Sequence, residues 1–300
     1  MPSLKSLKTR VSSIKSISKI TRAMQMVASA KLRRAESRLA AARPYAKRMA
    51  QVMSLLAARA AGTPNALPLL NGRGKNQTHL LIVTSSDAGL CGGFNANIYR
   101  LARERALALE AAGKTVQFYV IGIKNAPVIR NNFSGKTVHA TAREETSPVT
   151  FENAQKIAQD IIQRFDAGEF DVAHLFFSHY HSVLSQEPTE TQIIPAAPGS
   201  GNTKAQDAAN TNDASSGAIE FEPDEETILS TLLPRSIAVA IYQAMLENAT
   251  SEQGSRMSAM ENSTRNAGEM ISKLSIQYNR LRQAVITTEL VEIISGAEAL

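Results

Sequence analysis

The sequence predicts an α/β plus long-α protein. The N- and C-terminal helices would form an antiparallel coiled coil, with a small, largely parallel α/β domain between them. Three observations predict this. Both ends of the chain are long stretches almost free of helix breakers, their apolar residues recur at heptad spacing, and the middle switches to short apolar runs alternating with helical stretches.

Residues 3–61 contain no Gly and a single Pro, Pro44. Residues 235–295 contain no Pro and only Gly254 and Gly268. At ~1.5 Å per residue each stretch would make a rod of roughly 90 Å, against ~11–12 residues for an ordinary globular helix. A helix of that length must pair with another long helix or thread through a partner. The apolar spacing agrees. Ile17, Ile20, Met24 and Val27 are followed by Ala28, Leu32, Ala35 and Leu39, then by Ala46, Met49, Met53 and Leu56. Near the other end, Ala267, Ile271, Leu274, Tyr278, Leu281 and Val285 alternate steps of four and three. This is the seam of a left-handed coiled coil. Two amphipathic helices of one bundle would show the same local pattern, and only the length favours a single antiparallel pair.

Residues 62–77 are rich in Gly, Pro and Asn and end the first helix. Residues 78–84 (THLLIVT) then read as a buried strand, 96–112 as a helix ended by Gly113, and 116–121 as a strand. Residues 151–166 form the next helical pattern, and 171–178 and parts of 180–194 further strands. Such alternation predicts a Rossmann-like layer domain. Residues 196–217 are polar and of low complexity, which predicts a disordered surface loop. The boundaries are 1–61 for the first long helix, 62–227 for the α/β domain with its loop, and 228–300 for the second long helix.

Charge is unevenly placed. Net charge is +6, yet residues 1–60 carry fourteen Lys or Arg and one acid, Glu36, so that the remainder is net acidic. A basic helix of this kind suits nucleic acid, an anionic membrane surface or an acidic protein surface. Nucleic acid is disfavoured: no zinc-finger or RNP pattern is present, and Tyr45 is the only aromatic in the basic stretch. No signal-peptide core or apolar run of roughly 18 residues is evident, so the chain is expected not to span a membrane. The single Cys, Cys91, excludes an internal disulfide framework and makes a reducing compartment the default.

Catalytic patterns are weak. Gly113-Lys114-Thr115 and Gly135-Lys136-Thr137 resemble the end of a phosphate loop but lack its leading Gly, Ala108 and Arg130 standing there instead. The Gly89-Leu-Cys-Gly-Gly93 turn follows a strand but lacks the dinucleotide order, which predicts a structural turn. His174, His179 and His181 have no carboxylate or Cys at ligand spacing and read as a polar sheet face. Cys91 reads as a small packed thiol. No catalytic residue, cofactor site or metal site is expected.

Three segments carry a resemblance: Ile14–Leu32 (IKSISKITRAMQMVASAKL), Ser86–Asn95 (SDAGLCGGFN) and Tyr278–Ala297 (YNRLRQAVITTELVEIISGA). Together, in this order, they resemble the γ subunit of F-type ATP synthases. The resemblance implies a non-catalytic central rotor shaft that couples proton flow through a membrane ring to ATP synthesis or hydrolysis at an α/β hexamer. It implies the α and β subunits, the ε subunit and the membrane c-ring as partners, a lineage-specific inhibitory protein as a further one, and no nucleic acid. The location implied is the cytoplasmic face of a bacterial inner membrane, or the matrix side of the mitochondrial one. Met24 would lie in the lower shaft, Arg256, Gln283 and Thr287 would face loops of the β subunits, and Val291, Ile293 and Ile294 would sit in the upper bearing. Ala88 replaces a basic residue usual in the family before Gly-Leu-Cys-Gly. The alternative is a basic coiled-coil scaffold tethering an α/β module to nucleic acid or membrane.

Overall fold

The computed structural model describes residues 3–60, 67–141, 149–196 and 225–298. The elements run α1 (Leu4–Ala60), α2 (Pro68–Asn71), β1 (Thr78–Thr84), α3 (Phe94–Ala111), β2 (Thr115–Ile121), α4 (Ala126–Asn132), β3 (Thr137–Thr141), α5 (Phe151–Asp166), β4 (Val172–Tyr180), β5 (Gln186–Ile194) and α6 (Glu225–Glu298). Contacts group the chain into two compact units, 31–255 and 1–30 with 256–300. The loop expected over 196–217 lies, after Ala196, outside the described residues.

In the unit of residues 31–255 the sheet order is β3-β2-β1-β4-β5. β1 pairs in parallel with β2 and β4, β2 in parallel with β3, and only β4–β5 is antiparallel. Strand alternation sorts the core into two layers. Leu80, Ile82, Tyr119 and Leu175 meet Ile157, Ile161 and Phe165 of α5 and Ile237 and Ile241 of α6. Leu81, Val83, Phe118 and Phe176 meet Phe94, Ile98 and Ala102 of α3 and Ile129 of α4. Asp171 fixes the start of this sheet: its Oδ2 accepts from the backbone N–H groups of Gln77 and Thr78 at 2.8 and 2.9 Å. Burial opposes ionisation of its carboxyl, but these two donors hold it below the usual range. α5 begins at Thr150, whose side chain accepts from the Asn153 N–H.

Three elements of this unit are absent from the sequence reading: α2, within the stretch read as the break after the first helix, and α4 and β3. α4 and β3 lie where no apolar periodicity is evident, and β3 is a five-residue edge strand. Each long helix contains a proline. α1 has 57 residues and continues through Pro44, and α6 has 74 residues and contains Pro234. Proline removes one helical N–H bond, and in α6 the surrounding packing of Leu229, Leu233 and Ile237 is buried and compensates locally. With Met53 and Leu56 of α1 and Leu70 of α2, Leu229 and Leu233 form a separate apolar cluster. α6 also holds an 18-residue window of mean hydropathy 1.3, apolar enough by that measure for a membrane span and 44% buried inside the protein. This corrects the expectation that no such run exists. Buried core helices meet the same measure.

In the unit of residues 1–30 and 256–300 the helices pair through a narrow seam. Leu7, Thr21 and Ala28 are buried from α1, and Met260, Ala267 and Leu274 from α6, the last three at heptad intervals. Thr21 and Thr264 share a hydroxyl hydrogen bond of 2.7 Å, and Thr21 also donates to Ser18 O. The C-terminal seam reads as expected. The N-terminal one does not: Ile17, Ile20 and Val27 are exposed, Ile20 to 58%, and the buried stripe lies one position further on, through Thr21 and Ala28. Two adjacent stripes share the same three-four spacing here. Small side chains and a satisfied threonine pair let the helices approach closely, which branched Ile and Val would prevent.

Candidate partner-contact surfaces

The α/β unit offers the topology of a nucleotide-binding sheet, so the ends of its strands are the first place to look. The β1–α3 turn is held closed by its own side chains. Asn95 Oδ1 accepts from Ser86 N–H at 2.9 Å, and Asn95 Nδ2 donates to Ser86 Oγ at 2.7 Å and to Cys91 Sγ at 3.4 Å. Leu90 takes φ 62°, and Gly122 packs so closely on this turn that a Cβ there would meet Ser85 O at 2.2 Å. Cys91 is buried within it. The two candidate phosphate lysines are engaged elsewhere: Lys114 Nζ donates to Asn76 Oδ1 at 3.0 Å and Lys136 Nζ pairs with Glu110.

The C-terminal end of β4 is covered by helix. Glu247 of α6 is fully buried, and its carboxylate accepts from Tyr180 N–H at 2.8 Å, with Arg43 Nη2 and His179 Nδ1 each at 3.3 Å. The Tyr180 hydroxyl donates to Glu36 of α1. One turn along α6, Ser251 Oγ donates to Ser178 O at 3.0 Å, and Gly254 lets the Tyr180 ring approach to within 3.5 Å of a Cβ position. Burial, then the hydrogen bond and charge of Glu36, push the Tyr180 phenol well above its ordinary pKa. Glu36, the only acid among the first sixty residues, is therefore spent on a joint between sheet and helices. Sequence reasoning missed this joint. Its one signal was an acid standing alone in a basic helix.

A second missed cluster lies inside the sheet. His79 Nδ1 is 3.1 Å from His174 Nε2, the rings stacked at 13°, and His174 Nδ1 is 3.0 Å from Glu190 Oε1, which also meets Arg105 Nε at 3.1 Å. His174 is thus buried and wired, not part of a polar sheet face; only His181 stands exposed, 3.1 Å from Glu187. Burial, and then the charges of His174, Lys114 and Arg105, lower the His79 pKa to about 4. A neutral His79 donating from Nδ1 to His174 leaves its buried Nε2 as a bare acceptor without a partner. Burial raises the Glu190 pKa, but His174 and Arg105 more than offset it and hold the carboxyl low. Among the described residues, no group of three or more His, Cys, Asp or Glu is placed to hold a metal ion.

The seven residues expected to touch partners all fall in the unit of 1–30 and 256–300. Met24 is half-buried beside the seam and Arg256 is buried. Gln283, Thr287, Val291, Ile293 and Ile294 are exposed, Ile293 to 68%. Thr287 Oγ1 donates back to Gln283 O at 2.9 Å, so the hydroxyl is satisfied within α6. Gln283, Thr287, Leu290 and Ile294 fall on one helical face and make an exposed stripe, polar at Gln283 and Thr287 and apolar at Leu290 and Ile294. Ile17, Ile20 and Val27 of α1 add further exposed apolar surface. Apolar surface of this extent on a folded chain marks contact with other molecules.

Comparison with known proteins gives a consistent answer. A family model described as ATP synthase matches residues 3–300. The ATP synthase gamma chain of Zymomonas mobilis subsp. mobilis is 93% identical over 300 residues, covering all of both chains. That of Rhizorhabdus wittichii is 57% identical, again over all of both chains. Among solved structures, a chain of the Euglena gracilis mitochondrial ATP synthase (OSCP/F1/c-ring) superposes with TM-score 0.66 at 17% identity, covering 99% of this chain and 94% of that one. A chain of the Tetrahymena thermophila mitochondrial ATP synthase central stalk and c-ring gives 0.59 at 24% identity, covering 81% and 98%. At these identities the structural likeness concerns the fold.

Proposed function

This chain belongs to the ATP synthase gamma-chain family, and we propose that it is the central rotor shaft of an F-type ATP synthase, coupling ion flow through a membrane ring to ATP synthesis or hydrolysis elsewhere in the complex. The observation that carries this reading is the exposed stripe on α6 from Gln283 to Ile294, at the end of a helix paired by a heptad seam. A shaft needs a stiff stem and a greasy, weakly specific tip. Interdigitated seam residues supply stiffness, because two packed helices bend less readily than one. An apolar tip with few charges slides past several equivalent surfaces without locking to any.

The chain acts by transmitting force, and it is a non-catalytic component. Force entering the α/β unit would reach the helices through the Glu247–Tyr180–Glu36 joint, where buried hydrogen bonds resist shear. Met24 and Arg256 would meet neighbours along the stem, Gln283 and Thr287 would meet polar loops of the catalytic β subunits, and Val291, Ile293 and Ile294 would turn in an apolar bearing. The α and β subunits surround the shaft, the ε subunit and the c-ring engage its foot, and a lineage-specific inhibitory protein is a further partner. The complex would sit at the cytoplasmic face of a bacterial inner membrane. The full-length family match leaves the basic-scaffold alternative without a supporting observation.

A direct test attaches a probe to a Cys introduced at exposed Ser134, with the α/β hexamer fixed to a surface. Cys91 is buried and should not compete for the label. The probe should turn when ATP is added. A static probe on complexes hydrolysing ATP at the normal rate would overturn the reading.

A further inference from the structure

The unit of residues 31–255 carries a trough of about 400 Å³ between α1, α6 and the start of α5 that the joint and the sheet do not use. Its floor is low because α1 presents Ala42 and Ala46 there, opposite Val239 of α6. Its walls are aromatic: Tyr45, Phe151 and Tyr242. Phe151 meets Tyr242 edge to face, with centroids 5.7 Å apart. Arg38 and Arg235 stand at the rim, both exposed, and Arg235 lies over the Tyr45 ring at 5.9 Å. No acid lines the trough. Among the described residues neither arginine has a carboxylate partner, although Arg43, five residues from Arg38, has one in Glu247.

Arginine and tyrosine around an open apolar pocket are the residue types that anchor protein partners. The charge sets the partner's sign. Along α1 between residues 31 and 48, seven Lys or Arg face one acid, Glu36, which the Tyr180 hydroxyl already engages. The rings argue against a nucleic-acid base: Phe151 and Tyr242 are set edge to face, and Tyr45 already carries a guanidinium, so no open pair of parallel faces remains for stacking. We propose that this trough docks an acidic segment of another protein subunit, which inserts one bulky apolar side chain between Tyr45 and Tyr242 while its carboxylates pair with Arg38 and Arg235. The proposal rests on the reading of this chain as a subunit of a larger complex.

The test uses the full chain in the assembled, purified ATP synthase. A photo-crosslinking benzoylphenylalanine replaces Ala42 in one preparation and Gln243 in a second, and the crosslinked peptide is identified by mass spectrometry. The expected product joins this chain to a peptide of a different subunit that carries at least two Asp or Glu beside a bulky apolar residue. Combining Arg38→Glu with Arg235→Glu should lower its yield about tenfold, a loss of about 1.4 kcal/mol. The milder Arg38→Gln with Arg235→Gln pair, which keeps assembly intact if charge reversal does not, should lower it less. A crosslinker at Ser134 serves as the control and should be unaffected. Crosslinks confined to this chain, a partner peptide without acids, or a yield indifferent to both arginine pairs would each overturn the proposal. A chain that fails to purify with the complex at all would instead defeat the subunit reading, and this inference with it.

Discussion

The two compact units of this chain solve opposite problems. The unit of 31–255 buries its large residues, Phe118, Tyr119, Phe165, Phe170 and Phe176 among them, and finds partners for most of its buried polar groups. The unit of 1–30 and 256–300 does the reverse. Its narrow seam buries Thr21, Ala28 and Ala267 beside a few larger residues, Leu7, Met260 and Leu274, and leaves Ile20, Val27, Val291 and Ile293 in solvent. The first has the finished core of a domain, with an open trough beside Tyr45 and Tyr242. The second has the surface of a component whose apolar area is completed by other molecules. A low-aromatic, alanine-rich helix pair is slim because its seam is small, and the large residues that would thicken it are free for partners.

The comparison is broken most forcefully inside the finished unit. Phe165 is fully buried against Phe170 in the α5 layer. Phe165→Ala should cost about 4 kcal/mol of stability in denaturant titration. A cost below about 1 kcal/mol would mean that this core is loosely packed. Next in size is the joint. Glu247→Ala leaves the buried Tyr180 N–H without an acceptor and should cost about 3 kcal/mol, whereas Glu247→Gln, which keeps an acceptor oxygen, should cost clearly less. Equal losses for the two would show that packing, not hydrogen bonding, holds the joint.

The histidine pair gives the finished unit a pH dependence. His79 is lowered in the folded protein to about 4 from an ordinary 6.5. Between those values the unfolded chain binds the proton and the folded chain does not, so stability rises with pH across that window. The contribution is complete above pH 6.5, is lost as pH falls towards 4, and amounts to about 3 kcal/mol at most. His79→Gln, which can still donate to His174 but cannot titrate, should flatten this limb in thermal melts taken from pH 7 to 4. An unchanged slope would remove His79 from the account. The smallest effect belongs to the open unit. Ile293→Ser should change the stability of the isolated chain by less than about 0.5 kcal/mol, because the side chain packs on little within it. The same change should weaken retention in the assembled complex. A large loss of stability in the isolated chain would contradict the idea that this surface waits for partners.

Much of this was legible in the chain. The absence of Gly and Pro over residues 3–61, together with heptad spacing, specifies long paired helices, because a helix that long has no other way to bury its apolar stripe. The runs THLLIVT and DVAHLFFS specify buried strands, because only a sheet covered on both faces takes continuous apolar residues. Short elements with no periodicity of their own, α4 and β3, were not legible, since they exist only by leaning on a sheet already formed. Among the expected contact residues, Val291, Ile293 and Ile294 sit in a tail whose apolar residues do not follow the seam, and that mismatch was readable. The burial of Arg256 was not, because it depends on neighbours distant in sequence.

The sequence by itself determined that two long helices exist, that they share a seventh-residue period, and that a largely parallel layer domain interrupts them. Periodicity is a local property, and local spacing is enough to set it. Only the tertiary structure decided which of two adjacent stripes becomes the seam, placing Thr21 inside and Ile20 outside. It alone also brought Glu36, Tyr180 and Glu247 together across the chain, and His79 beside His174 between parallel strands. Those choices depend on shape complementarity and on hydrogen-bond partners separated by scores of residues. Both quantities come into being only when the elements pack.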